Sequence, residues 1–255
     1  MNDHRLAADL AERAGSLLLA LREDTGFADA AALKAAGDLA SHEFLADALA
    51  AHRPEDAVLS EEAADDPRRL TASRVWIVDP LDGTREFSEE GRDDWAVHVA
   101  LWERGRLAAG AIALPAQGKV LGTGAAAPLP APASGAPRIT VSRTRPPAFV
   151  ARLAARMGAR TVPMGSAGVK IAAVLQGTAD AYVHAGGQYE WDSAAPVAAA
   201  LAAGAHASRL DGTPLVYNRP DPRLPDLVVC RPELAERLLA EIAETAETAA
   251  AATDS

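Results

Sequence analysis

Over the first two dozen residues the apolar positions Leu6, Leu10, Ala14, Leu17, Leu18 and Leu21 recur at helical spacing, which predicts an amphipathic helix over residues 4–22. A second helical segment runs from about Ser41 to Ala51, with Asp38 near its start as a cap or dipole partner and Pro54 closing it. The pattern then shortens to strand-like runs. "AVLSEE" (57–62) is a strand entering an acidic turn, and "VWIVDP" (75–80) is a central strand. The segment that begins "DDWAVHVALWERGRLAAGAIAL" holds two or three antiparallel strands, with Glu-Arg-Gly-Arg as the first tight turn. Residues 123–137 are rich in Gly, Ala and Pro without periodicity, so we expect an N-terminal α+β subdomain over 1–122, a linker over 123–137 and a C-terminal α/β subdomain over 138–255. Within the last, "RITVS", "ADAYVHA" and "DLVVC" are strands. Helices are expected over about 147–157, 167–176, "WDSAAPVAAALAAG" and Pro232 to about Ala246, and the tail "ETAAAATDS" is expected to fray.

Composition excludes several classes. Apolar residues make up 49% and charged residues 24% of 255, near the soluble average, which argues against a disordered or membrane protein. The opening "MNDHRLAADLAERAG" lacks a basic region followed by an apolar run, so a cytoplasmic location with no membrane partner is the default. The single cysteine, Cys230, lies in an apolar run and is expected as a buried thiol. A net charge of −10 with 4% aromatic residues disfavours a nucleic-acid polymer as partner. A small anion remains compatible if metal ions or local basic groups invert the sign within a site.

The candidate chemistry lies in "WIVDPLDGT" (76–84). Its strand delivers Asp79 and Asp82 to an accessible edge, Pro80 stiffens the turn, and Gly83 and Thr84 offer amides to an oxyanion. An Asp-capped turn accounts for the same residues without chemistry. Glu61 and Glu62 after "AVLS", and Asp192 at the start of a helix, are further carboxylates at element ends, although a solvated turn and a helix dipole would explain them singly. If these groups converge they need a cation, because two like charges about 4 Å apart repel by roughly 4 kcal/mol at an effective dielectric of 20. All-oxygen ligands select Mg²⁺, Mn²⁺ or Ca²⁺, and the six histidines show no zinc spacing. Two such ions bridged by a carboxylate suit in-line attack on phosphorus. The D-x-D-G-T signature of haloacid-dehalogenase phosphatases differs from "DPLDGT" by one residue, and no Asp nucleophile is available on an N-terminal strand.

Taken in order, "LSEE" (59–62), "WIVDPLDGTREF" (76–87), "GSAG" (165–168) and "EWDSAAPVAAALAAGA" (190–205) resemble the inositol monophosphatase superfamily over nearly the whole chain. "DPLDGTREF", "VSRTR" (141–145) and "DLASHEFLADAL" (38–49) look more like CysQ-type 3′(2′),5′-bisphosphate nucleotidases. The resemblance implies an αβαβα sandwich, the sugar-phosphatase fold, with metals between the halves. It implies two or three Mg²⁺ ions, inhibition by lithium, and a homodimer. Glu61, Asp79 and the Leu81 carbonyl would hold one ion, and Asp79, Asp82 and Asp192 another. Thr84, with Asp38 as partner, and Glu61 would orient the attacking water. Gly83, Thr84, Arg85, Arg143, Ser166, Lys170 and Asp192 would meet the substrate, Arg143 at a second phosphate. Bland alternatives are a helix cap for Ser166 and solvated surface cations for Lys170 and Arg143. The chain departs from the family pattern at three places: Ala35 stands for threonine, Arg85 for lysine, and Lys170 comes one residue late.

The activity implied is removal of the 3′-phosphate from 3′-phosphoadenosine 5′-phosphate, as in sulfate assimilation. An inositol-1-phosphate or fructose-1,6-bisphosphate phosphatase would use the same metal centre. A catalytically silent nucleotide- or metal-binding module would be marked by a lost metal ligand, and none is missing.

Overall fold

The computed structural model describes residues 1–251, with side chains through Thr245. Two long helices, α1 (Asp3–Thr25) and α2 (Ala30–His52), precede a five-stranded sheet of β1 (Ala57–Ser60), β2 (Arg74–Asp82), β3 (Ala96–Glu103), β4 (Arg106–Leu114) and β5 (Lys119–Gly122) in that spatial order. A one-turn helix, α3 (Thr84–Phe87), follows β2 directly. β1 runs parallel to β2, and the others form an antiparallel meander. Residues 126–137 carry no regular structure and lead to the second half. That half contains β6 (Arg138–Ser142), α4 (Ala148–Met157), β7 (Arg160–Met164), α5 (Ala167–Leu175), β8 (Ala181–Tyr189), α6 (Glu190–Ala202), β9 (His206–Ser208), β10 (Arg223–Cys230) and α7 (Pro232–Ala251). Its strands order as β7-β6-β8-β10-β9.

Alternation along the strands builds the layers. Trp76 and Val78 of β2 point to one face, where they pack with Leu6, Leu10 and Leu18 of α1 and Leu45 and Leu49 of α2. Val75 and Ile77 point to the other face, against Ile171 of α5, Ala194 and Val197 of α6, and Leu227 and Val229 of β10. On the outer face of the second sheet, Leu153 of α4 and Leu238 of α7 close over Ile139 and Val228. The stack is therefore helix, sheet, helix, sheet, helix, in agreement with the expected αβαβα sandwich.

Several boundaries differ from expectation. α2 starts at Ala30, where Asp29 accepts from the amides of Ala31 and Ala32, so Asp38 lies within the helix and caps nothing. Two edge strands, β7 and β9, and the short α3 are additional to the expected elements. α7 continues to Ala251, through most of the tail expected to fray, and 252–255 lie outside the described residues. Cys230 is buried, and burial pushes its thiol up to about 12. No helix among the described residues is long and apolar enough to cross a membrane.

Candidate active site

Simple alternation on β2 would align Leu81 with Asp79 and drive Asp82 into the α1/α2 core. The pairing with β3 prevents this. Asp79 lies opposite His98 and Asp82 opposite Ala96, so β2 advances three residues while β3 advances two. That extra residue is a β-bulge, and Pro80 suits it because it has no amide to donate to the ladder. After the bulge Leu81 joins the α1/α2 core, and Asp82 returns to the face of Asp79. Side-chain bonds hold the kink: Asp79 Oδ1 accepts from the Leu81 amide at 3.0 Å, and Ser41 Oγ of α2 donates to the Pro80 carbonyl at 2.7 Å.

Around this edge other elements present carboxylates. Glu61 follows β1, the parallel neighbour of β2, and shares a hydrogen bond with Asp79. Asp192 lies in the first turn of α6, where its Oδ2 accepts from the Tyr189 amide at 2.6 Å. Asp82 faces the start of α5, and its Oδ2 accepts from Ser166 Oγ and, at 2.7 Å, from the Gly168 amide. The electrostatic consequence is large. Desolvation, then the charge of Asp82, pushes Asp192 up to about 8. Desolvation pushes Glu61 up to about 7 against its bond to Asp79, with Asp82, Glu62 and Asp38 adding to the rise. Asp79, wholly buried, is raised well above the ordinary carboxylate range by desolvation and then by Glu61, Asp82 and Asp192.

Such a cluster takes up protons or a cation. Asp79 and Asp82, with Glu61 and Asp192 close enough to raise the pKa of Asp79, offer oxygen atoms of the kind a hard divalent ion takes. His98 adds an observation that the sequence concealed. Its Nδ1 donates to the Trp191 carbonyl at 3.1 Å, while Nε2 lies 3.3 Å from Asp82 Oδ2 without a hydrogen-bond partner. Burial lowers its pKa, so the ring is neutral and an Nε2 lone pair faces a carboxylate. Asp79, Asp82 and His98 bring ligand atoms within 4.8 Å of one another, which places unsatisfied lone pairs where a cation would be held. Thr84 Oγ1 donates to the Leu81 carbonyl at 3.1 Å and is also within reach of Asp38. Asp38 is pushed up to about 6 by desolvation and then by Glu62.

The cleft beside the carboxylates has a volume of about 400 Å³, and Asp82, Gly83, Thr84, Arg85, Arg143, Ser166, Lys170 and Asp192 all line it. Three of these have protein partners of their own. Ser166, at φ 43°, accepts from the Val169 amide as cap of α5 and simultaneously donates to Asp82, so it braces a carboxylate. Lys170 is buried, not a solvated cation, and its Nζ donates to the Gly165 and Ser166 carbonyls at 3.1 and 2.7 Å. Arg143 is engaged by Glu86 and Glu89. Sequence reasoning also missed Asp94, which accepts from the Gly165 amide at 2.6 Å, and Lys34 and His184 on the cleft wall. A larger surface groove, about 640 Å³ and lined by Arg209, Arg219 and Arg223, lies away from the carboxylate cluster.

Known proteins resemble the chain over most of its length. The model of the inositol monophosphatase family matches residues 5–247. The chain is 53% identical over 256 residues to the 3′-phosphoadenosine 5′-phosphate phosphatase of Mycobacterium leprae, covering 96% of this chain and 94% of that protein. It is 33% identical over 196 residues to the 3′(2′),5′-bisphosphate nucleotidase CysQ of Escherichia coli K12, covering 71% and 78%. Among solved structures, Thermotoga maritima IMPase superposes with a TM-score of 0.78 at 20% identity, covering 97% of this chain and 99% of that one, a likeness of fold.

Proposed function

The chain belongs to the inositol monophosphatase family, and from that premise we propose that it is a Mg²⁺-dependent phosphatase that removes the 3′-phosphate of 3′-phosphoadenosine 5′-phosphate, leaving AMP and phosphate. The observation that supports the reading is the crowding of Glu61, Asp79, Asp82 and Asp192, the residues that would hold the ion with the Leu81 carbonyl, in a chain more than half identical to a phosphatase of that name. Bound at those donors, Mg²⁺ would supply Lewis acidity to the phosphoryl and leaving oxygens and lower the pKa of water.

The chain's own groups do the remaining work. Thr84 Oγ1, with its hydrogen directed to Leu81 or Asp38, keeps lone pairs to accept from and orient a water. Glu61 and Asp38 are the carboxylates that would take its proton; burial holds them at about 7 and 6 without a cation, and a bound ion would lower both. Gly83, Thr84 and Arg85 line the wall where phosphate oxygens would lie, and Lys170 and Ser166 fix the turn opposite. Asp82 is oriented by Ser166 and Gly168, so its charge stays aimed at the cleft.

The test is phosphate release with Mg²⁺ from 3′-phosphoadenosine 5′-phosphate, inositol 1-phosphate and fructose 1,6-bisphosphate. We expect kcat/KM to favour the nucleotide at least tenfold, about 1.4 kcal/mol of transition-state discrimination. A preference for either sugar phosphate would overturn the substrate and leave the metal site standing.

A further inference from the structure

Arg143, just beyond β6, bears two carboxylates on one guanidinium. Its Nε and Nη2 donate to Glu86 Oε1 at 3.2 and 2.7 Å, and Nη2 also donates to Glu89 Oε1 at 3.0 Å. Nη1 has no hydrogen bond among the described residues. The trio sums to a charge of −1 on the wall of a cleft that must admit phosphate. An arginine so paired would repel a phosphate dianion.

The two carboxylates are not equivalent. The Glu86 side chain is 7% exposed and locked in α3, whereas that of Glu89 is 39% exposed. Water competes well for an exposed ion pair, while breaking a buried one leaves a charge stranded. The backbone beneath Glu89 is fixed, because Arg22 of α1 donates to the carbonyls of Glu89 and Arg92 at 2.6 and 2.9 Å. Releasing the Glu89 carboxylate therefore requires only a rotation of its side chain.

We infer that Glu89 is an exchangeable counter-ion that the second phosphate of a bisphosphorylated nucleotide displaces from Arg143, while Glu86 stays and fixes the guanidinium plane. The exchange turns a −1 trio into a neutral Glu86–Arg143 pair whose Nη2 and Nη1 edge is open to a planar two-point contact with phosphate. A substrate with a single phosphate leaves Glu89 in place. Glu89 thereby sets how strongly the cleft distinguishes bisphosphates from monophosphates, an inference that rests on the nucleotide-phosphatase reading.

The test compares kcat/KM for 3′-phosphoadenosine 5′-phosphate and adenosine 3′-phosphate in wild type, Glu89→Gln, Arg143→Ala and the double variant. Glu89→Gln should raise the bisphosphate-to-monophosphate ratio threefold or more through KM, and the rise should vanish in the Arg143→Ala background. Calorimetry should show adenosine 5′-phosphate binding more tightly to Glu89→Gln by a similar factor, a readout independent of turnover. A ratio that Glu89→Gln leaves unchanged, or a rise that persists without Arg143, overturns the exchange. Wild-type protein that hydrolyses neither nucleotide but does release phosphate from inositol 1-phosphate would defeat the nucleotide reading and the exchange together. That outcome is distinct from a wild-type preference that Glu89→Gln does not alter.

Discussion

Asp82 has two unlike oxygens. Oδ2 accepts from Ser166 and Gly168, which leaves Oδ1 as the oxygen that a cation would take. Asp82→Asn keeps an acceptor for Ser166 and Gly168 but removes the charge. We expect turnover to fall by about two orders of magnitude or more, since even outer partners of metal ligands are worth ~10–100-fold. Its urea midpoint should stay near wild type, and activity retained at saturating Mg²⁺ would sink Asp82 as a ligand. The other side of this contact is steric. A Cβ on Gly168 would lie 2.0 Å from His98 Nε2, and His98 is fully buried. Gly168→Ala should therefore cost about 1–3 kcal/mol of stability. Adding His98→Ser should recover part of the loss, and simple additivity in that cycle would remove the contact as its cause. Glu61, Asp79, Asp82 and Asp192, unlike Asp94 in its loop, were legible because each lies near the end of a strand or the start of a helix. His98 was not, because in "AVHVA" only the bulge on a neighbouring strand and the start of α6 reveal what its two nitrogens face.

At the scale of elements, α1 reaches the site without touching it. Arg22 lies in its last turn, 9% exposed, with its guanidinium 4.9, 5.8 and 5.6 Å from the rings of Phe27, Phe87 and Trp95 and hydrogen-bonded to the 89–92 turn. Arg22→Met would leave two carbonyls without their donor. We expect a loss of about 1–3 kcal/mol in urea unfolding, together with faster proteolysis between Glu89 and Arg92. A variant as protease-resistant as wild type would show that the turn is held by other means. In the sequence Arg22 is an ordinary basic residue at a helix end, and nothing local foretells its burial. The first turns of α2 were unreadable for a different reason: "AAALKAAG" is alanine on every side and gives no amphipathic period. β7 escaped because Pro163 breaks the pattern of a strand, which an edge position tolerates.

The whole molecule should feel its metal site through pH. Without a cation Glu61 and Asp192 titrate near 7 and 8 and Asp79 is also raised, whereas in the unfolded chain all three titrate near 4. Between about pH 4 and 8 the folded state therefore holds more protons than the unfolded one, so its stability declines as pH rises across that window. We expect the Tm of metal-free protein to drop from pH 5.5 to 8.5, and the gain on adding Mg²⁺ to grow over the same range, because the ion binds the deprotonated cluster. A flat metal-free profile would mean that these carboxyls are not crowded as described. The bulge at Pro80 and Leu81 has a further consequence, one of arithmetic. The sheet assigns side chains to its two sides by odd and even count, and one inserted residue resets the parity between Asp79 and Asp82. Deleting either intervening residue would remove the bulge and leave the two aspartates two apart, still on one face, whereas inserting one more would turn Asp82 toward Trp76, Val78 and Leu45. Odd and even lengths between the two aspartates are therefore not equivalent: a lost residue costs the kink that Ser41 and the Leu81 amide hold, while a gained one costs the shared face.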